Sequence, residues 1–450
     1  MASLKKRDTR KGSGPRHSLR CLSVLLLAGL GSAACDTAEF LAVELPGQVI
    51  DVDLDDSSLA QVLVNSVIAD VECAWSHYVG GSANHSDEYI GSSGNDSMSR
   101  WGLRQITPDF KNYANDTCDL NWGHAVYTPM HTARFQADNN FALISGFPDA
   151  EVAGRGKMLA TVKAYGGWPL VAFGETFCES RFDGGPILTR AEVLAMAEKV
   201  FTDAIALAAS AGETNIGHMA RAGRARARLG LLKYADAITD ASAIPASFSF
   251  DVTTSASNQR RYNRIRKLLN GTFSDGAGWA HAAVSFGYRD VKWKNVADPR
   301  VKVWWDGVSL GIDGSTEHYV HDKHTTLSTP NELASYRQSQ MVIAEASALS
   351  GDLTTAIGIL NNFHTAAGIP AVTAADIPTQ DDVINHVIEE RRREFFVEGG
   401  HRLRDHIRWR GTAYNVPFLG EAGSDLPNGY DHIGSFYGDA TCYPIATADK

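Results

Sequence analysis

The sequence predicts a mainly α-helical chain, and three observations carry that reading. Between residues 126 and 242, and again between 330 and 410, apolar residues recur at the three- and four-residue spacing of one helical face. The runs end in helix stops: Gly146, Gly166-Gly167, Gly212 and Pro245 in the first stretch, and Gly351, Gly368 and Pro370 in the second. Two Ala-rich helices, Ala220–Leu229 and Ile343–Leu349, each precede a short turn and a second helix at Lys233 and Asp352, as paired helices do.

Taken in order, the chain opens with an export signal. Lys5, Lys6, Arg7, Arg10, Lys11, Arg16 and Arg20 face one acid, Asp8, and the apolar run 22–30 is too short to span a bilayer. Small residues then precede Cys35. A tether over 35–56 and a helix starting at Ser57 or Ser58 and ending at Gly80-Gly81 follow. Further helices are expected over 129–145, 148–165, 190–210, 216–230 and 232–242. Asn331 or Ser328 caps another that runs to Leu349, and Asp352 caps the next. The scaffold is therefore 57–79, 126–242 and 330–410, with loop-rich regions 80–125 and 243–329 between. A short strand is expected at Val301–Trp305. The 450 residues allow two or three domains, or one large helical domain.

Charge excludes some functions. Residues 1–34 hold seven of the 42 basic residues and one of the 52 acids, so the remainder carries about −16. Nucleic acid and an anionic membrane surface are poor ligands for such a chain. Four cysteines lie beyond Cys35: Cys73, Cys118, Cys178 and Cys442. They match no zinc spacing, and an even count suggests two disulfides with three possible connectivities. Proximity in sequence favours Cys73–Cys118.

Glu389–Trp409 is the densest stretch, with six arginines, two histidines and five carboxylates. Arg391 falls within the apolar stripe of Ile384, Val387, Ile388 and Phe395, where a lone charge costs several kcal/mol. Glu394 and Glu398 lie on or near its face, and Glu345, on the face of Met341 and Ala348, is expected to pair with Arg391 or Arg392. Because no nucleophile–base constellation surrounds the cluster, it reads as scaffold.

Residues Glu390-Arg-Arg-Arg-Glu394, Phe-Phe-Val-Glu398-Gly399, Arg402, Asp405 and Arg408-Trp409 resemble the C-terminal signature of the SusD/RagB family. Tyr165-Gly-Gly-Trp-Pro-Leu170, Asp87-Glu88, Asp298-Pro-Arg300, Ala344-Glu345-Ala346 and Tyr443-Pro-Ile445 resemble its other elements, and Gly31–Cys35 resembles a lipobox. Gly399-Gly400 inserts one residue into the signature. The resemblance implies a signal peptide over 1–34, a lipidated Cys35 and one SusD-like domain over 57–450 with tetratricopeptide-like helix pairs. It also implies a non-enzymatic, surface-facing outer-membrane lipoprotein that delivers an oligosaccharide or peptide to a SusC-like TonB-dependent transporter.

The chemistry-bearing motifs are few. H-E-x-x-H, P-loop, Rossmann and EF-hand patterns are absent from the sequence, and no catalytic residue and no cofactor is assigned. His318, His321 and His324 have metal-ligand spacing but lie among Gly, Ser and Thr, so they read as a solvated polar loop and no metal is expected. Sugar rings stack on aromatic faces while polar side chains bind hydroxyls. Trp101, Trp293, Trp304 and Trp305, with Asp87, are the ligand-binding candidates. Two alternatives remain: a lipid-anchored glycoside hydrolase using Asp87 and Glu88, and a tetratricopeptide-like scaffold that binds only protein.

Overall fold

The computed structural model describes residues 56–271 and 279–450, all within one unit, Val52–Lys450. The expected signal peptide and Cys35, with all of the tether but Asp56, lie outside the described residues. Asp56 caps a 3-10 turn, Ser57–Leu59, by accepting from the Ser58 amide at 2.8 Å. Helix α1 follows as Ala60–His85. Neither Ser57 nor Ser58 is the cap, and Gly80-Gly81 does not end the helix. These two glycines pass beside rings. A Cβ on Gly80 would lie 2.8 Å from His124, and one on Gly81 would lie 2.9 Å from Trp101.

The region 80–125 contains β1 (Tyr89–Gly91) and two short helices, α2 (Asp96–Gly102) and α3 (Lys111–Ala114). The long scaffold helices come next: α4 (Tyr127–Gly146), α5 (Arg155–Thr176), α6 (Arg190–Ala211), α7 (Thr214–Gly230) and α8 (Tyr234–Ser242). Each packs on its predecessor, and α4 and α5 also pack on α1. The stop expected at Gly166-Gly167 is instead the middle of α5. Gly167 on α5 and Gly223 on α7 both press against the Phe201 ring of α6, leaving no room for a Cβ at either. Gly212 does end its helix, in the left-handed conformation with φ 71°.

The strands form short antiparallel pairs. Strands β2 (Ser180–Arg181) and β3 (Ile187–Leu188) pair within the α5–α6 connection. Strand β4 (Ser249–Val252) pairs with β10 (Asn331–Ser335), and β5 (Ala282–Val284) pairs with β1. Strands β6 (Lys292–Trp293) and β7 (Val296–Ala297) form one hairpin, and β8 (Val303–Trp304) pairs with β9 (Val320–His321). The expected strand at 301–305 is thus two residues long. Helix α9 (Arg264–Leu268) lies between β4 and β5 in the chain and packs on α1.

The second helical set is α10 (Tyr336–Leu349), α11 (Leu353–Ala367), α12 (Gln380–Glu394) and α13 (His401–Arg408). Ser335 caps α10 by accepting from Gln338 N. The expected cap Asn331 belongs to β10 and its amide side chain is buried against Asn263 and Ser76. Helix α10 packs on α8, α11 and α12, so the two Ala-rich helix pairs meet there. One large apolar core holds Trp75, Trp168 and Phe201, and a second holds Leu360, Val383 and Val387 between α10, α11 and α12. Disulfides join Cys73 to Cys118 and Cys178 to Cys442. Among the described residues no helix is long and apolar enough to cross a membrane.

Candidate functional site

The basic stretch at the end of α12 builds the platform on which the site rests. Arg391 is buried between α10 and α13, with Nε 2.8 Å from Asp405 and Nη1 on Glu345, which also receives Arg408. Burial pushes the Glu345 carboxyl up, but Arg408, Arg391 and Arg404 outweigh it and hold it near 2. Glu394 does not serve Arg391. It turns to the opposite side, 3.1 Å from Arg300 and 2.6 Å from Arg337. Arg392 does not reach Glu345 either, because it grips Glu389 at 2.6 Å. It also donates to the Gly287 carbonyl at 2.9 Å and lies over the Tyr288 ring, which stacks on Phe396 at 4.6 Å. The end of α12 therefore props the loop at residues 286–288.

That loop starts a continuous run of rings. Phe286 is 39% exposed, and the Arg289 guanidinium lies 4.3 Å from its centroid and 3.8 Å from that of Tyr319. Tyr319 stacks on Trp305 at 6.0 Å and 29°. On the other side Phe286 meets His432 edge-on at 6.1 Å. His432 is tied to Thr316 at 2.7 Å, which joins the loop at 430–436 to the turn at 311–317. The same C-terminal loop carries Tyr430 against Phe436 at 4.9 Å, with Phe436 63% exposed. Asp306 closes the turn beneath Trp305, accepting from the Ser309 hydroxyl and amide and from the Val308 amide, and these bonds pull its carboxyl down to about 2. Trp304 stands 47% exposed beside this run, its indole N–H donating to Asp322 at 2.9 Å.

Half-exposed rings interleaved with one guanidinium, carboxylates and hydroxyls can stack on apolar ring faces while hydrogen-bonding polar edges. Of the residues expected to bind ligand, Trp305 lies in this run and Trp304 beside it. The others lie elsewhere. Trp101 is fully buried among His124, Tyr443 and Tyr113, a core ring with no face left for a ligand. Trp293 is half-buried against His364 and His386. Asp87 is held by Arg402 Nε at 2.6 Å and His406 Nε2 at 3.1 Å, partners that overcome burial and keep its carboxyl far below the usual range. Glu88 is buried on the Val397 amide at 2.6 Å, and burial pushes its carboxyl up to about 8. These two acids point at different protein partners, so they form no acid–base pair facing a substrate.

Reading the sequence left out Arg289, Tyr430, His432 and Phe436. The signal was present in Gly429–Gly438, an aromatic, polar and Gly-punctuated stretch like the two loop regions singled out. The solvated loop expected at His318–His324 is also corrected. All three histidines are buried: His318 meets the Leu269 carbonyl at 3.1 Å, His321 the Tyr89 hydroxyl at 2.8 Å, and His324 Asn263 at 2.8 Å. Their nitrogens diverge to separate partners.

With this geometry in place, comparison with known proteins is decisive for the fold. Residues 318–440 match the model of the SusD family. A SusD superfamily protein from Bacteroides vulgatus superposes with TM-score 0.63 at 14% identity, covering 88% of this chain and 97% of that one. The fold is SusD-like. Surface glycan-binding protein A from Bacteroides thetaiotaomicron, in complex with laminarihexaose, gives TM-score 0.61 at 14% identity, covering 87% of the SusD-like chain and 97% of the relative. The same-named protein from Bacteroides uniformis gives 0.61 at 15%, covering 86% and 97%. No protein of curated function matches the chain.

Proposed function

We propose that this SusD-like chain is a cell-surface lipoprotein that captures an oligosaccharide on the Trp305–Tyr319–Arg289–Phe286–His432 run. Lipidated Cys35 holds it in the outer membrane, beside a SusC-like TonB-dependent transporter that receives the sugar. The run of rings carries the reading, since it is the kind of surface on which pyranose faces stack. The laminarihexaose complex of a relative with the same fold supports a glycan over a peptide. Binding ends without bond cleavage, because the acids a hydrolase would need, Asp87 and Glu88, are committed to Arg402, His406 and Val397. Glycan release is coupled to transport. Two weak surfaces, one on each protein, act together as a stronger one.

The test is calorimetric titration with a panel of soluble glycans, followed by chromatography of the mixtures for cleavage products. Saturable binding with no product is expected. Phe286→Ala and Trp305→Ala should each weaken it about tenfold or more, as loss of a contact ring does. Binding unaltered in both variants would sink the assignment of this surface. Product formation would revive the hydrolase reading. A detergent pull-down of the native protein should recover a TonB-dependent barrel, and recovery of soluble partners alone would favour a protein-binding scaffold.

A further inference from the structure

Helices α11 and α12 bring together three side chains that the glycan-binding reading does not use. His386 and Glu390 lie four residues apart on α12 and so share one face. His364 reaches toward them from the last turn of α11. One ligand atom from each lies within 4.8 Å of the others, and all three residues are buried. The Trp293 ring covers both imidazoles, with centroids 4.9 Å from His386 and 5.6 Å from His364.

The hydrogen bonds around His364 leave a contact that either a second imidazole proton or a bound cation would satisfy. His364 Nδ1 lies 2.7 Å from the Pro370 carbonyl, which can only accept, so Nδ1 carries the proton. Nε2 of a neutral imidazole is then a lone pair, and it lies 3.1 Å from Glu390 Oε2, another acceptor. Two lone pairs facing each other in a buried site repel unless a proton or a metal ion lies between them. His386 supplies the second sign of a missing partner. Its Nε2 is buried and has no hydrogen-bond partner, in a residue only 8% exposed. Glu390 is oriented from behind, its Oε1 gripped by Arg300, which is itself held by Asp298 at 2.7 Å. An outer hydrogen bond of this kind fixes a ligating carboxylate, and the Pro370 carbonyl does the same for His364.

We propose that His364, His386 and Glu390 bind a zinc-class divalent transition-metal ion. His364 Nε2, His386 Nε2 and Glu390 Oε2 are the ligand atoms. Two imidazoles and one carboxylate form a known zinc donor set, with bonds of about 2.0–2.2 Å. Tetrahedral bonds of that length put neighbouring ligand atoms about 3.3–3.5 Å apart, close to the His364–Glu390 separation. The ion clamps α11 to α12, and the Trp293 indole shields it. Such a site is independent of the glycan surface and would survive reassignment of the ligand.

The experiment uses the untagged full chain in detergent, stripped with a chelator and titrated with zinc chloride at pH 7 by calorimetry. One equivalent should bind at low micromolar Kd or tighter. His386→Gln, which removes one ligand and leaves the Arg300–Glu390 pair, should weaken that event at least tenfold while keeping the metal-free melting temperature. Copper should quench Trp293, and Trp293→Phe should remove most of that quenching; this readout needs no ligand variant to fold. Absence of the stoichiometric event, or equal affinity in His386→Gln, overturns the proposal. So does a zinc-insensitive nitrogen NMR spectrum in which both nitrogens of His364 carry protons, since an imidazolium paired with Glu390 then accounts for the contact.

Discussion

Glu345 is the residue on which the scaffold's charge balance turns. It is buried and receives both Arg391 and Arg408, so its removal leaves Arg391 with Asp405 alone and takes from Arg408 its carboxylate partner. Breaking a buried pair from one side costs about 3–5 kcal/mol, against about 0–1 kcal/mol for a surface pair. Glu345→Ala should lower stability by roughly that amount in urea unfolding at pH 7. The pH dependence has a definite sign. The folded-state carboxyl sits near 2, below its ordinary value of about 4.5, so the unfolded chain binds more protons in between. Its stabilisation is present above about pH 4.5 and is lost as pH falls toward 2. Glu345→Gln should therefore flatten that acid limb of the stability profile. An unchanged slope between pH 5 and 2 would show that other carboxylates set acid stability.

The helices display where sequence reading succeeds and where it stops. Apolar periodicity located α4, α6, α7, α8 and α11 to within a few residues, because one buried face imposes one repeat. Glycine misled it. Gly212 and Gly368 end helices with positive φ, whereas Gly81 and Gly167 lie inside helices that crowd Trp101 and Phe201. Spacing along the chain cannot separate a glycine that frees the backbone from one that admits a neighbour's ring. The distinction is measurable at Gly81. Helix propensity alone makes Gly81→Ala stabilising by about 1 kcal/mol. The Cβ would meet the Trp101 ring at 2.9 Å, and overpacking of this kind costs about 1–3 kcal/mol. A net loss of melting temperature is expected, and a gain would mean that Trp101 can yield. The run of rings was illegible for a related reason. Its members come from residues 286–289, 305, 319 and 432, brought together only by tertiary packing that the Arg392–Gly287 and His432–Thr316 bonds secure.

At the scale of the whole molecule, the C-terminal segment returns to the first helical set and closes the fold. Tyr443 is buried among Trp101, Tyr113 and Phe177, and its backbone exchanges hydrogen bonds with Thr176 and Cys178 at 2.9 Å. The Cys178–Cys442 disulfide locks this return across a sequence separation of 264, against 45 for Cys73–Cys118. The longer closure restricts the unfolded chain more, with both contributions within the usual range of about 2–5 kcal/mol. Cys178→Ser with Cys442→Ser should therefore lower the melting temperature more than Cys73→Ser with Cys118→Ser. The two pairs should also differ in binding. The loop at 430–436 hangs between α13 and Cys442, and it supplies His432 and Phe436 to the exposed surface. Releasing Cys442 loosens one end of that loop, while Trp305 and Tyr319 keep their stacking through the β8–β9 pair. Glycan affinity should fall in the Cys178/Cys442 variant and hold in the Cys73/Cys118 variant when both are measured well below their melting temperatures. Equal affinity in the two would remove the C-terminal loop from the binding surface and leave the rings of Trp305, Tyr319 and Phe286 to carry it.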